Sequence, residues 1–167
     1  EATDFFGENS EFGEFQGTNY SYYFERGLAN KLAIYGSVLY QDIEQTDADG
    51  IRQTASGLGD FEIGIRSQLT EGPNVVSVAF VTKLPYFYDE DDALPLGNGQ
   101  VDYEARLLYG RSLNAFGYVG IEAGYRLRNG NPSDEYRYLL EYGISATKNL
   151  YLRTKLDGIE SVGNASG

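Results

Sequence analysis

Apolar and polar side chains alternate with a period of two in most of eight segments of this chain, although 32–42 and 74–86 are more apolar on both faces. This alternation is the feature that most constrains the fold. A β-strand sends successive side chains to opposite faces, so each segment predicts a two-faced strand. The predicted strands lie at about 18–28, 32–42, 57–69, 74–86, 100–112, 116–128, 135–146 and 149–159. Short connections near 29–31, 71–73, 114–115 and 148–149 alternate with long ones at about 43–56, 87–99 and 129–134. Such a hairpin meander predicts an all-β, antiparallel up-and-down architecture, wired like a transmembrane β-barrel.

One face of the predicted strands carries acids and bases in similar number, and the other face is apolar. The apolar face gathers aromatic side chains toward the long connections. A soluble sandwich or lipocalin-like barrel also alternates, so the periodicity alone does not say which face is inside. Charges of both signs suit a lumen, and an aromatic girdle suits a membrane interface. We therefore predict a lumen lined by Asp60, Glu62, Arg66, Asp102, Glu104, Arg106, Glu122, Arg126, Arg128, Arg137, Glu141, Arg153 and Lys155. The predicted girdle is Tyr20, Tyr22, Tyr40, Phe61, Tyr86, Tyr103, Tyr125, Tyr136 and Tyr138.

The hairpin registers can be tested against the charges. A turn at Asn114-Ala115 sets Arg106 opposite Glu122 and Asp102 opposite Arg126. A slip of two residues sets Glu104 against Arg126 and Asp102 against Arg128 instead. In the last hairpin, the turn at Lys148-Asn149 brings Glu141 near Lys155. Acid meets base in each case, so the charges are compatible with both registers of the earlier hairpin.

The position of the chain ends predicts further strands. Outer-membrane barrels have an even number of strands and keep both termini on the short-turn side. By this count the first strand begins, and the last one ends, on the long-loop side. Residues 7–17 would be an outer loop, and 1–6 the end of an earlier strand. We therefore expect residues 1–167 to form a single β-barrel domain that lacks at least one strand at each end, with ten to twelve strands natively.

Three stretches of sequence resemble a known family. They are 56–66 with its Gly57-Leu58-Gly59-Asp60 start, Val81-Thr82-Lys83-Leu84-Pro85, and Glu122-Ala123-Gly124-Tyr125-Arg126. Together they resemble the outer-membrane β-barrel family named for the MetA pathway of phenol degradation, a family of outer-membrane transporters. In that family Thr-Gly typically follows the Lys-Leu-Pro, whereas Tyr86-Phe87 follow here. The resemblance implies a barrel of about twelve strands that passes small hydrophobic or aromatic compounds.

The residues needed for most catalysis are missing. The chain has no His and no Cys, so the usual general base and thiolate nucleophile are absent, and we predict no enzymatic activity. The acidic runs at 89–92 and at 42–49 lack EF-hand spacing. A solvated acidic loop is the simpler interpretation, with diffuse divalent binding near lipopolysaccharide as the alternative. We predict no cofactor and no defined metal site.

The net charge and the hydropathy of the chain limit which partners and which cellular location can be expected. The net charge of −12 argues against nucleic acid. No apolar run approaches the roughly 20 residues of a transmembrane helix. We predict a protein of the bacterial outer membrane, in contact with lipid and lipopolysaccharide, that is a passive channel for small organic, hydrophobic or aromatic solutes. The alternative is a structural or adhesive barrel, or a subunit of a larger envelope assembly. The oligomeric state stays open.

Overall fold

A computed structural model describes residues 2–6, 14–47, 49–130 and 132–163. These residues form one sheet whose strands follow chain order, each beside the next, and the pairings whose register is defined are antiparallel. The prediction of an all-β up-and-down sheet is therefore confirmed. The strands are β1 (Ala2–Phe6), β2 (Glu14–Ala29), β3 (Leu32–Thr46), β4 (Arg52–Gln68), β5 (Asn74–Leu84), β6 (Asp102–Ser112), β7 (Tyr118–Arg128), β8 (Asp134–Thr147) and β9 (Leu150–Val162). A short 3₁₀ helix, Asn114–Phe116, lies between β6 and β7.

All eight predicted strands are present, and the expected strand end near the start of the chain is β1. The predicted outer loop at 7–17 lies partly outside the described residues, and its last residues, 14–17, belong to β2. Within the part of the chain that is described, no helix has the length and apolar character needed to cross a membrane.

The connection between β3 and β4 is shorter than predicted. The sequence predicts a loop at 43–56, but the strands leave only 47–51 between them. Asp47 closes this turn, since its Oδ1 accepts hydrogen bonds from the backbone N–H groups of Asp49 at 3.0 Å and Ile51 at 2.8 Å. An Asx turn of this kind needs few residues, so polar segments that resemble a loop in sequence continue the strands.

The chain divides into two compact units. The first unit comprises Glu1–Glu25, Tyr35–Ile63 and Lys83–Val101. The second unit comprises Arg26–Ile34, Gly64–Thr82 and Asp102–Gly167.

In the first unit, the loop 85–101 packs against the start of β4. Leu96 is one of the few buried apolar side chains. A Cβ at Gly57 would lie 3.0 Å from Leu96 Cδ1, and one at Gly59 would collide with the Leu96 carbonyl. The two glycines of the Gly57-Leu58-Gly59 motif therefore make room for this loop.

In the second unit, the two faces of the sheet differ sharply in burial and chemistry. Asp102 and Glu104 of β6 are each 1% exposed, whereas Tyr103 between them is 46% exposed and Leu107 is 54% exposed. In β6 and β7 the buried side, which a soluble protein would fill with apolar groups, holds charges, whereas β5 buries the apolar Ala79 and Val81. This inverted distribution of polarity frames the site.

Candidate functional site

The register between β6 and β7 sets acids directly opposite bases. Asp102 pairs with Arg128 and Glu104 pairs with Arg126. Directly paired residues share a face of an antiparallel sheet, so all four side chains lie on the same side. The structure thus has the second of the two registers allowed by the charges.

Glu104 is the centre of a buried ionic cluster in the second unit. Its Oε2 accepts hydrogen bonds from Arg126 Nε at 2.8 Å and from Arg137 Nη1 at 3.3 Å, and Arg126 Nη2 lies 2.7 Å away. Its Oε1 accepts a hydrogen bond from Arg106 Nε. A Cβ at Gly124 would lie only 2.9 Å from Glu104 Oε1, so this glycine leaves space for the carboxylate.

A second acid extends the cluster along the strands. Asp102 Oδ2 lies 3.9 Å from Arg126 Nη1 and 3.8 Å from Arg128 Nε. Arg128 in turn donates from Nη1 to Glu135 Oε1 at 2.9 Å. Four arginines and three acids therefore meet across three strands, and Asp102, Glu104, Arg126 and Arg128 each lie within 4 Å of more than one opposite charge. Such a lattice compensates much of the desolvation cost of burying charge.

A small cavity of about 90 Å³ lies beside this cluster. Its charged lining comprises Glu104, Arg106, Glu122, Arg137 and Asp157. A space of this size holds a few water molecules.

The predicted pair of the last hairpin is also present. Glu141 and Lys155 are directly paired, and Lys155 Nζ lies 3.1 Å from Glu141 Oε2. Tyr118 Oη donates a hydrogen bond to the same carboxylate group. Lys155 is exposed, so this pair is far better hydrated than the Glu104 cluster.

The first unit contains a separate polar network. Lys83 Nζ lies 3.2 Å from Asp60 Oδ2, and the Lys83 side chain is buried. Tyr88 Oη donates to Asp60 Oδ1 at 2.5 Å and accepts from the backbone N–H of Gly99 at 2.7 Å. Burial raises the pKa of the Tyr88 phenol well above its ordinary value near 10, and the hydrogen bond to Asp60 adds to the increase. Tyr88 thereby fixes the loop 85–101 to β4.

The other predicted lumen residues are less buried than Asp102, Glu104 and Arg126. Glu62, Arg66 and Glu122 are half-buried, and Arg153 is exposed. The predicted girdle has a similar spread, because Tyr20, Tyr22, Tyr40, Tyr103, Tyr136 and Tyr138 are exposed whereas Phe61 and Tyr125 are half-buried. Tyr86 is exposed and lies beyond the end of β5, in the loop 85–101.

Aromatic contacts extend along the exposed face of the second unit. The rings of Phe80 and Tyr103 stack at 6.3 Å between centroids. Tyr125 and Tyr136, which are directly paired, meet edge to face at 5.1 Å. The aromatic side chains therefore pack laterally against each other across strands rather than into a core.

Four side chains of these networks are absent from the sequence prediction: Lys83, Tyr88, Tyr118 and Glu135. Tyr118 shares the face of Glu122 and Arg126 by the period of two, which could have identified it. Lys83 is adjacent to the apolar Leu84, so a period of two places the two side chains on opposite faces and could have identified Lys83. Glu135 lies directly opposite Arg126 in the register between β7 and β8, and sequence alone does not fix that register. Tyr88 lies in a loop, where no periodicity exists to give its direction.

The described residues contain no group of three or more His, Cys, Asp or Glu side chains that could hold a metal ion. No family model, no curated protein and no solved structure matches this chain.

Proposed function

We propose that this chain forms a transmembrane β-barrel of the bacterial outer membrane and acts as a passive channel for small organic solutes. The observation that carries the proposal is the inverted polarity of β6 and β7 in the second unit. Asp102, Glu104 and Arg126 are buried, and the residues that alternate with them, such as Tyr103 and Leu127, are about half exposed. Monomeric soluble proteins rarely expose an apolar patch of more than a few hundred Å². In a bilayer the exposed apolar face would contact lipid instead of water, so its exposure would carry no hydrophobic penalty.

The charged face supports a channel rather than a one-sign filter. Acids and arginines alternate across β6, β7 and β8, so a lumen lined by them has a transverse field. Such a field orients polar groups of a passing solute without excluding either sign of charge. The resemblance of the Gly57–Asp60, Lys83–Pro85 and Glu122–Arg126 motifs to the family named above favours hydrophobic or aromatic solutes.

The membrane part of the proposal is tested by solubility. We expect the purified chain to need detergent and to fold into lipid vesicles. On a denaturing gel, the unheated folded protein should then migrate differently from the heated, unfolded protein. A chain that is monomeric in plain buffer and does not bind vesicles would contradict the proposal.

The channel part is tested by conductance in a planar lipid bilayer. We expect discrete current steps from the reconstituted protein. Arg137→Gln, which removes a charge beside the small cavity, should change the ratio of cation to anion permeability. Arg111→Gln, at an exposed arginine near the end of β6, is the matched control and should leave the ratio unchanged.

One observation favours the alternative of a structural or adhesive barrel. The Glu104 cluster leaves a cavity of only about 90 Å³ beside it, and small barrels have lumens filled by their own side chains. Correct insertion into the bilayer without any conductance would support that alternative over a channel.

A further inference from the structure

The loop 85–101 of the first unit contains an open cavity of about 620 Å³. Sites for small organic ligands commonly measure about 300–1,000 Å³. The lining residues that could recognise a ligand are three consecutive aromatic residues followed by acidic ones. These residues are Tyr86, Phe87, Tyr88, Asp89, Glu90 and Asp92.

The aromatic part of the lining is held by ring contacts. Tyr86 and Phe87 meet edge to face with centroids 5.4 Å apart and an interplanar angle of 83°. Phe87 also meets Phe61 of β4 edge to face, at 6.1 Å and 78°. Phe87 is thereby anchored to the sheet, while Tyr86 remains 78% exposed at the mouth of the cavity.

Two further lining residues, Tyr88 and Glu90, lie close to Gly99. Tyr88 is held by Asp60 and by the N–H of Gly99. Gly99 has a φ of +67°, and a Cβ there would lie 2.5 Å from Glu90 Oε2 and 2.7 Å from Glu90 Cβ. The glycine therefore allows the Glu90 side chain to lie along the loop backbone, beside the aromatic run.

We propose that this cavity binds an organic cation that carries a quaternary or alkylated ammonium group. Aromatic rings attract such a cation through their electron-rich faces, and the apolar substituents on its nitrogen gain contact with the same rings. The carboxylates of Asp89, Glu90 and Asp92 add a favourable field, and the net charge of −12 raises the local cation concentration further. A neutral molecule gains only the ring contacts, and an anion is repelled. The proposal builds on the channel function by naming a solute class, but binding itself does not require conduction.

The test is a titration of the folded chain with choline in maltoside micelles, which contain no ammonium head group. The neutral analogue 3,3-dimethylbutan-1-ol has the same shape without the charge. We expect saturable binding of choline, followed through the ring-proton shifts of the loop, and affinity for the neutral analogue lower by about tenfold or more. Phosphocholine should also bind more weakly than choline, because the carboxylates repel its phosphate.

Matched variants locate the site. Phe87→Leu should weaken choline binding by about fivefold or more, whereas the same change at the exposed Phe116 of the 3₁₀ helix should have no effect. Glu90→Gln should lower the affinity and make it less sensitive to salt.

Three results would overturn the proposal: equal affinity for choline and its neutral analogue, tighter binding of phosphocholine, or unchanged binding in the Phe87→Leu variant. Absence of saturable binding up to about 50 mM would overturn it as well. Conductance is measured separately in bilayers. A chain that conducts but does not bind choline would reject the cation site alone, and one that binds choline without conducting would reject only the channel.

Discussion

Glu104 and Arg126 are direct partners across β6 and β7, and two nitrogens of the guanidinium lie 2.7 and 2.8 Å from the same carboxylate oxygen. Both residues are buried. Within a buried pair of this kind, the loss of one partner costs more than the pair contributes, because the remaining charge stays away from water. The stability of the second unit should therefore depend on keeping this lattice balanced.

We expect Arg126→Leu to lower the free energy of unfolding by about 3 kcal/mol. The value lies at the lower end for a broken buried pair because Arg106 and Arg137 still contact Glu104. Denaturant unfolding of the chain in micelles, followed by circular dichroism, measures the change. Glu104→Leu should cost at least as much as Arg126→Leu, since it leaves Arg106, Arg126 and Arg137 without the carboxylate that they share.

Lys155→Met is the matched control. It also breaks a cross-strand ion pair, with Glu141, but Lys155 is exposed. Exposed pairs contribute at most about 1 kcal/mol. Equal losses in the Arg126 and Lys155 variants would show that burial does not govern the strength of these pairs.

The faces of the β6 side chains were predictable, but the choice of register between β6 and β7 was not. A period of two assigns Asp102, Glu104 and Arg106 to one side and Tyr103 and Leu107 to the other without any knowledge of the partner strand. The two possible registers of β6 against β7 both set acid against base, so charge could not choose between them. The observed register goes with a connection of five residues, 113–117, which contains the short 3₁₀ helix and is longer than the predicted turn at 114–115.

Loops were less predictable than strands for a related reason. The polar residues after position 42 resemble a loop, yet β3 continues to Thr46 because Asp47 closes a tight turn. The contact of Tyr88 with Asp60 joins residues 28 positions apart. No local pattern encodes a contact of that kind, so the anchoring of the loop 85–101 appears only in the folded structure.

We expect Tyr88→Phe to release the loop 85–101. The change removes the hydroxyl group that bonds to Asp60 and Gly99 while it keeps the ring. A hydrogen bond to a charged group contributes about 1.5–3 kcal/mol, so cleavage after Glu90 by a Glu-specific protease should be about tenfold faster. Tyr86→Phe removes a hydroxyl group from an exposed residue of the same loop and should leave the rate unchanged. Equal rates in both variants would mean that the Tyr88 hydrogen bonds do not restrain the loop.

Tyr88 should also stay protonated where other tyrosines ionise. Its pKa is raised by burial and by the bond to Asp60, so the folded chain holds this proton more tightly than the unfolded chain. The resulting stabilisation is present below about pH 10 and is lost as the pH rises through the folded pKa. Tyrosinate absorbance of Tyr88→Phe should match that of the wild type through about pH 10, with the difference confined to higher pH. A deficit of one tyrosine near pH 10 would show that Tyr88 titrates normally.

An arginine on the exposed apolar face should affect folding differently depending on whether that face contacts lipid or water. Leu107 lies at the middle of β6 and is 54% exposed, so an arginine there meets no crowded core. In water Leu107→Arg should be nearly neutral. At the midplane of a bilayer the same change should cost about 2–4 kcal/mol, because the charge has lost its hydration. Leu150→Arg, at the exposed start of β9 beside a short turn, is the control and should cost about 1 kcal/mol or less. The measurement is the folded fraction in lipid vesicles, read from gel mobility before heating. A clear loss for Leu107→Arg but not for Leu150→Arg would support a membrane-spanning sheet, and equal behaviour of the two variants would contradict it.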